Sequence, residues 1–180
     1  LAQDTIKIAL TGPYSGGSAP MGASTRDGSK LAIAEINAAG GIPVGGKKLK
    51  IEIIERDDEA KNDRGALIAQ ELASMSDLSG VIGTANTGVV LAGDRYLQEK
   101  GVTKIITPAA GSASMTQWVT ARVPELSIFR FSADDGLQAH MVVAEAIKRG
   151  YTKVAVFHDT TNYGVSGRDD LLNQIKLQGD

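Results

Sequence analysis

The sequence predicts an α/β protein built on a parallel β-sheet. Three observations carry this: short apolar runs alternate with stretches of helical spacing, glycines punctuate the joins, and loops that follow the strands are made of small, turn-forming residues. The candidate strands are Ile6–Thr11, Leu49–Glu55, Gly80–Thr84, Lys104–Thr107, Ile128–Phe131 and Lys153–Phe157.

The first strand runs into TGPYSGGSAPMG, Thr11 to Gly22. Strand-to-helix connections commonly take about 2–6 residues, so a longer loop of small residues calls for a role. The helix after it, through Asn37, carries Ser29, Ala32, Ile33 and Ile36 at helical spacing and Arg26, Lys30 and Glu35 on its polar face, and it stops at Gly40-Gly41. The second strand ends in Asp57-Asp58-Glu59, which reads as a solvated charge cluster in preference to a magnesium site. A second helix, capped by Asn62 or Asp63, aligns Ile68, Ala69, Leu72 and Met75, and a third extends from Val89 to about Lys100. Each stripe is core packing. After Phe131 the polar break Ser132–Gly136 precedes a helix (Leu137 to Arg149), the sixth strand and a final helical run to Asp180. Residues 1–132 are therefore expected to form one unit and 133–180 the start of another. One strand between two helices is too little sheet for an independent core, so this second unit is expected to be incomplete.

In an open parallel sheet the loops at the carboxyl ends of the strands line one edge, and ligands sit where the strand order reverses. If the order is the flavodoxin-like 2-1-3-4-5, the loops Gly12–Met21 and Ala85–Gly88 meet at that point. Gly16, Gly17 and Gly22 admit close backbone approach, and Pro13 and Pro20 stiffen the turns. In VIGTANTGVVLAGD, the turn Thr84–Gly88 aims backbone N–H groups and small hydroxyls at one place, and a helix N-terminus favours an anion such as a carboxylate. Capping of the helix by Thr87 or Asn86 is the alternative. In ITPAAGSASMT, Ala109, Ala110 and Gly111 offer backbone groups without side-chain obstruction. Alone this is a tight turn; three such loops on one edge argue for a pocket.

Composition narrows the function. The chain has 180 residues, 42% of them hydrophobic, which suits a globular protein, and its net charge of −2 with interspersed signs argues against nucleic acid or an anionic membrane surface as the main partner. No apolar run approaches the roughly 18 residues of a membrane span, so direct membrane insertion is not expected. Cysteine is absent, which removes disulfides and thiolate chemistry. The glycines after the first strand do not fit the dinucleotide or P-loop spacing. His140 and His158 form no metal-binding spacing, Ser15 and Ser112 lack a nucleophile elbow, and His158-Asp159 as a general base with its orienting partner is weaker than a histidine bonded to backbone. No catalytic residue, metal site or cofactor is expected.

In series, IKIALTGPYSG, MGASTRDGSKLAIAEINAAGGI, RDDEAKN, VIGTANTG, ITPAAGSASMT and VAVFHDTTNYGVSG resemble the type I periplasmic substrate-binding proteins of branched-chain amino acid ABC transporters, the Leu/Ile/Val-binding protein family. The resemblance spans the whole chain, while family members are roughly twice as long. It implies a type I periplasmic-binding-protein fold, two flavodoxin-like lobes closing over a ligand, a membrane permease of an ABC transporter as partner, a monomer, no catalysis, and a periplasmic or otherwise extracytoplasmic location with the signal peptide removed. Under it, the residue that binds the ligand carboxylate falls on Thr87, beside Ala85 and Asn86. The loop positions that contact the carboxylate and amino group fall on Ala109 and Gly111, flanking Ala110, and the tyrosine that stacks over the ligand falls on Tyr163. Met21 stands where relatives often carry an aromatic, and Gly111 where a hydroxyl residue is common. The expected ligand is a small organic carboxylate, either a branched-chain or aliphatic amino acid or an aromatic acid. A ligand-sensing domain of a receptor or transcription regulator, which shares this fold, is the alternative; an enzyme comes third.

Overall fold

Parallel strands cannot be joined by tight turns, so each pair needs a crossover, and a right-handed crossover fixes the face on which its helix lies. The structure, a computed structural model, describes residues 5–106 and 117–179. Its strands are β1 (Thr5–Gly12), β2 (Ile42–Val44), β3 (Lys47–Asp57), β4 (Leu78–Ile82), β5 (Lys104–Ile106) and β6 (Ile128–Arg130), and its helices α1 (Ala19–Ala38), α2 (Asn62–Ser74), α3 (Thr87–Glu99), α4 (Asp135–Lys148) and α5 (Asn162–Gln178). The sheet order is β2-β3-β1-β4-β5-β6, with β3, β1, β4, β5 and β6 mutually parallel. This is the expected five-strand order with one strand added at the edge.

After β1 the chain moves outward through α1 to β3, then returns through α2 past β1 to β4 and continues through α3 to β5. The direction of travel reverses at β1. Right-handed crossovers therefore put α1 on one face and α2 and α3 together on the other, and α2 and α3 do pack on each other while α1 packs on β1 and β3. The main core lies under α2 and α3 and consists of Ala9, Val81, Ile106 and Ile128 from the sheet with Ala69, Leu72, Val90 and Leu97 from the helices. Because side chains alternate across a strand, Leu10, also buried, faces the opposite side from Ala9. Of the stripe expected on α1, Ile33 is buried and Ala32 is exposed.

Two elements differ from expectation. The added strand β2 pairs antiparallel with β3 from Ile42↔Leu49 to Val44↔Lys47, joined by Gly45-Gly46, both at positive φ, a two-residue hairpin turn. Where β2 stops, the Asn37 amide of α1 continues the edge, accepting from Ile51 N at 2.8 Å and donating to Ile51 O at 2.9 Å. The second difference is Lys153–Phe157, which lies in no strand. An apolar, β-prone run only offers a strand; one exists where neighbouring backbone takes up its N–H and C=O groups, and none does so among the described residues.

Candidate functional site

The register of β1 on β3 sets Gly12 beside Asp57 at the carboxyl edge of the sheet, and this pairing organises the first loop. The Asp57 carboxylate accepts from Tyr14 N at 2.8 Å, Ser15 Oγ at 2.6 Å and Glu59 N at 2.9 Å. Burial alone pushes Asp57 upward; the hydrogen bonds from Ser15, Glu59 and Tyr14 outweigh it and hold the carboxyl below its usual range. The loop proper is residues 13–18, half the expected length, because α1 already begins at Ala19 with Pro20 in its first turn, where a fixed φ suits a helix start. Met21 thus sits on the helix. Gly22 follows it, where a Cβ would stand 2.2 Å from the Pro13 carbonyl oxygen, so only glycine lets the loop fold back on α1.

The turn after β4 is built by a similar close approach. Gly83 has φ +127°, and a Cβ there would stand 1.8 Å from the carbonyl oxygen of Thr11. The chain then passes through buried Thr84 and Ala85 to Asn86, the N-cap of α3, and to Thr87 in the first turn. The Asn86 side chain makes no capping bond; its Nδ2 reaches Ser18 Oγ at 3.4 Å, tying the α3 start to the α1 start. Capping by Asn86, one form of the local alternative to ligand binding, is thereby not what the structure adopts.

These segments form one wall of a cleft of about 740 Å³. The cleft is lined by Ser18 and Met21, Ala60 to Asp63, Ala85 to Gly88, and Asp159 to Tyr163. The last segment is shaped by Asp159, whose Oδ1 accepts from Thr161 N at 3.0 Å and Thr161 Oγ1 at 2.6 Å; the Thr161 hydroxyl in turn accepts from Gly164 N at 3.2 Å and caps α5. The two Thr161 bonds hold the Asp159 carboxyl below its usual range. Asn62 Nδ2 donates to Asn162 Oδ1 at 3.4 Å between two of these segments. The N-termini of α1, α2, α3 and α5 all line this space, and the first three carry no side-chain cap. Uncapped N–H groups and the positive ends of helix dipoles favour a negatively charged guest.

Of the residues singled out in the sequence, Met21, Ala85, Asn86, Thr87 and Tyr163 line this one cleft, although Tyr163 is far from the others in sequence. Thr87 is buried and Tyr163 is half exposed. Ala109, Ala110 and Gly111 lie outside the described residues. The strand-end acids are not a solvated cluster: Asp57 clamps the first loop, Asp58 is wholly buried, and Glu59 pairs with Lys61 at 2.6 Å and Arg64 at 2.9 Å. Among the described residues no group of three or more His, Asp or Glu is arranged to hold a metal. His158 Nδ1 faces the backbone oxygen of Asp159 at 2.7 Å, not its carboxylate. Sequence reasoning missed Ser18, Asn62 and Asp159 as cleft residues; their turn-forming character at helix starts was the available signal.

The profile of a family described as periplasmic binding protein matches residues 5–179. The Leu/Ile/Val-binding protein homolog 3 of Brucella melitensis is 32% identical over 175 residues, covering 97% of this chain and 45% of that protein. The leucine-, isoleucine-, valine-, threonine-, and alanine-binding protein of Pseudomonas aeruginosa is 33% identical over 167 residues, covering 91% of this chain and 41% of that one. Among solved structures, the branched-chain amino acid transporter substrate binding protein LivJ of Streptococcus pneumoniae, in complex with isoleucine, superposes with a TM-score of 0.75 at 26% identity, over 94% of this chain and 46% of that one. A solute binding protein of an ABC transporter from Rhodopseudomonas palustris, in complex with 3,4-dihydroxybenzoic acid, gives 0.75 at 27% identity, over 98% and 45%. The chain spans less than half the length of these relatives. With the sheet order, the switch-point cleft and the family profile in agreement, the chain belongs to the periplasmic binding protein family.

Proposed function

We propose that the chain supplies one ligand-binding lobe, residues 1–132, and the start of a second, residues 133–180, of an extracytoplasmic solute-binding protein that delivers a small organic carboxylate to the permease of an ABC importer. The observation that carries this reading is the convergence of uncapped helix N-termini with the small residues Ala85 to Gly88 on one cleft. Such a site neutralises a carboxylate with backbone dipoles. Met21 and Tyr163 then provide an adaptable wall and an aromatic face for an apolar tail. The relatives named for branched-chain amino acids and the neighbour holding a dihydroxybenzoate make two ligand classes worth testing: aliphatic amino acids first, aromatic acids second. The protein is read as a monomer without catalytic activity.

Calorimetric titration of the full-length protein with leucine, isoleucine, valine and hydroxylated benzoates tests the assignment. Thr87→Val removes a hydrogen bond to a charged group worth about 1.5–3 kcal/mol and should weaken binding by roughly one to two orders of magnitude. Tyr163→Ala should weaken binding while leaving stability unchanged, because its ring is half exposed in this chain. Tight binding of a sugar or polyamine with no response to either acid class would overturn the carboxylate reading, and turnover of any bound acid would overturn the non-enzymatic one.

A further inference from the structure

Directly beneath the cleft, five polar side chains meet in an otherwise apolar layer between the sheet and helices α2 and α3. They are Thr11 (β1), Asp58 (after β3), Thr84 (after β4), Asp94 (α3) and Lys104 (β5), and together with apolar neighbours from α2, α3 and β4 they line a small void of about 10 Å³. Asp58, Asp94 and Lys104 are 0%, 1% and 2% exposed. The Lys104 ammonium is paired with Asp94 Oδ1 and lies 3.5 Å from Thr84 Oγ1. Asp58 Oδ1 accepts from Ala60 N at 2.8 Å. Three oxygens remain: Thr11 Oγ1, Asp58 Oδ2 and Asp94 Oδ2 are buried and make no hydrogen bond among the described residues.

A buried polar oxygen without a partner is costly, and two carboxylate oxygens and one hydroxyl around one void are a defined chemical demand. It calls for two donors, for the carboxylates, and one group able to engage a hydroxyl. We propose that this void is a permanent site for a single water molecule, donating to Asp58 Oδ2 and Asp94 Oδ2 and bonded to the Thr11 hydroxyl, and that the hydrated Lys104–Asp94 pair holds together the three loops that carry the cleft. The void is about large enough for one water molecule, and buried waters make about three hydrogen bonds. A metal ion fits the same space poorly, because the Lys104 ammonium already supplies the positive charge beside Asp94 and would repel a second cation.

The positioning role follows from what each member touches. Thr11 leads into the first loop, and its carbonyl is the surface against which Gly83 is pressed. Asp58 N donates to Gly12 O at 2.9 Å and Asp58 O accepts from Lys61 N at 2.9 Å, so the residue joins the end of β1 to the start of α2. Thr84 precedes the turn Ala85–Gly88. One water bridging Thr11, Asp58 and Asp94 therefore ties together segments that end at Met21, Asn62 and Thr87, before any ligand is present.

The test uses the ligand-free full-length protein, so that its failure is separate from any failure of the ligand assignment. A crystal structure at about 1.3 Å should show one fully occupied water within hydrogen-bond distance of all three oxygens, and oxygen-17 relaxation dispersion should count one long-lived water that Thr11→Val loses and Thr11→Ser keeps. In hydrogen exchange, Thr11→Val should raise exchange at the amides of residues 12–18, 58–62 and 83–88 about tenfold, with the amides of α1 unchanged and Thr11→Ser restoring protection. No density in the void, a melting temperature that rises with sodium concentration, uniform loss of protection in Thr11→Val, or failure of Thr11→Ser to restore it would each overturn the proposal.

Discussion

The sheet half and the C-terminal half of this chain are built from the same kind of sequence and end in different physical states. From β1 to β6, apolar strands lie under helices, and the residues meant for the core are inside it: Ala9, Leu72, Val90, Ile106 and Ile128 are at most 1% exposed. From α4 onward, the helices pack on each other, α5 buries no residue, and Phe157 is 95% exposed. The run Lys153–Phe157 is as apolar as any strand of the sheet. It differs in having no paired neighbour among the described residues. Helix is a local property, since its hydrogen bonds close within the segment, and both α4 and α5 form with their own caps at Asp134 and Thr161. Strand is a property of pairs.

The sharpest way to break this comparison is to attack the most buried point of the sheet half. Lys104→Met leaves the Asp94 carboxyl uncompensated in a site where burial already pushes it above its ordinary range against the pull of Lys104. The cost should be about 3–5 kcal/mol in denaturant unfolding, and adding Asp94→Leu should recover most of it, because replacing both partners removes the stranded charge. Equal stability of the single and double variants would show that the pair is not the buried anchor described here.

A second effect, of opposite sign on two neighbouring acids, resolves the same region by pH. Burial pushes Asp58 from 3.8 to about 6, against the Ala60 hydrogen bond and the Lys104 charge. A carboxyl raised on folding favours the native state when protonated, so its contribution is present below the unfolded value and is lost as pH rises between about 4 and about 6, by up to roughly 3 kcal/mol. Asp57, held low by its hydrogen bonds, contributes in the other direction, with stability present above the ordinary carboxylate range and lost as pH falls. The difference in stability between wild type and Asp58→Asn should therefore shift against wild type from pH 4 to 6.5, and the corresponding difference for Asp57→Asn should shift against wild type on acidification. Parallel curves for both variants would contradict the assigned burial.

The smallest effect is expected in the other half. Phe157→Ser should change stability by no more than about 0.5 kcal/mol in this chain, while Leu72→Ala, 1% exposed in α2, should cost about 2–5 kcal/mol. Comparable losses by thermal unfolding would mean that Phe157 is covered and that the two halves are less different than they are described here.

Local spacing by itself determined the alternation of strands and helices, the stop of α1 at Gly40-Gly41, both at positive φ, and the placing of small-residue loops at one edge, because periodicity and turn chemistry act within a few residues. The parallel sheet followed from that alternation, the meeting of the Met21 loop with Asn86 and Thr87 from the strand order it suggested, and the place of Tyr163 from the family resemblance. The hairpin of β2 was missed, because a three-residue strand gives little periodicity to read and Gly45-Gly46 was the turn signal that went unused. Only the tertiary structure decided the rest. Lys104 reads as an ordinary solvent-facing lysine at a strand start, and Asp58 as one of three surface acids; their burial beside Asp94 depends on β3, β5 and α3 meeting in one layer. No window of sequence contains that meeting. The same dependence leaves Lys153–Phe157 unpaired among the described residues, since the partners that make a strand, and the counter-charges that make a buried ion pair, are not set by the local sequence.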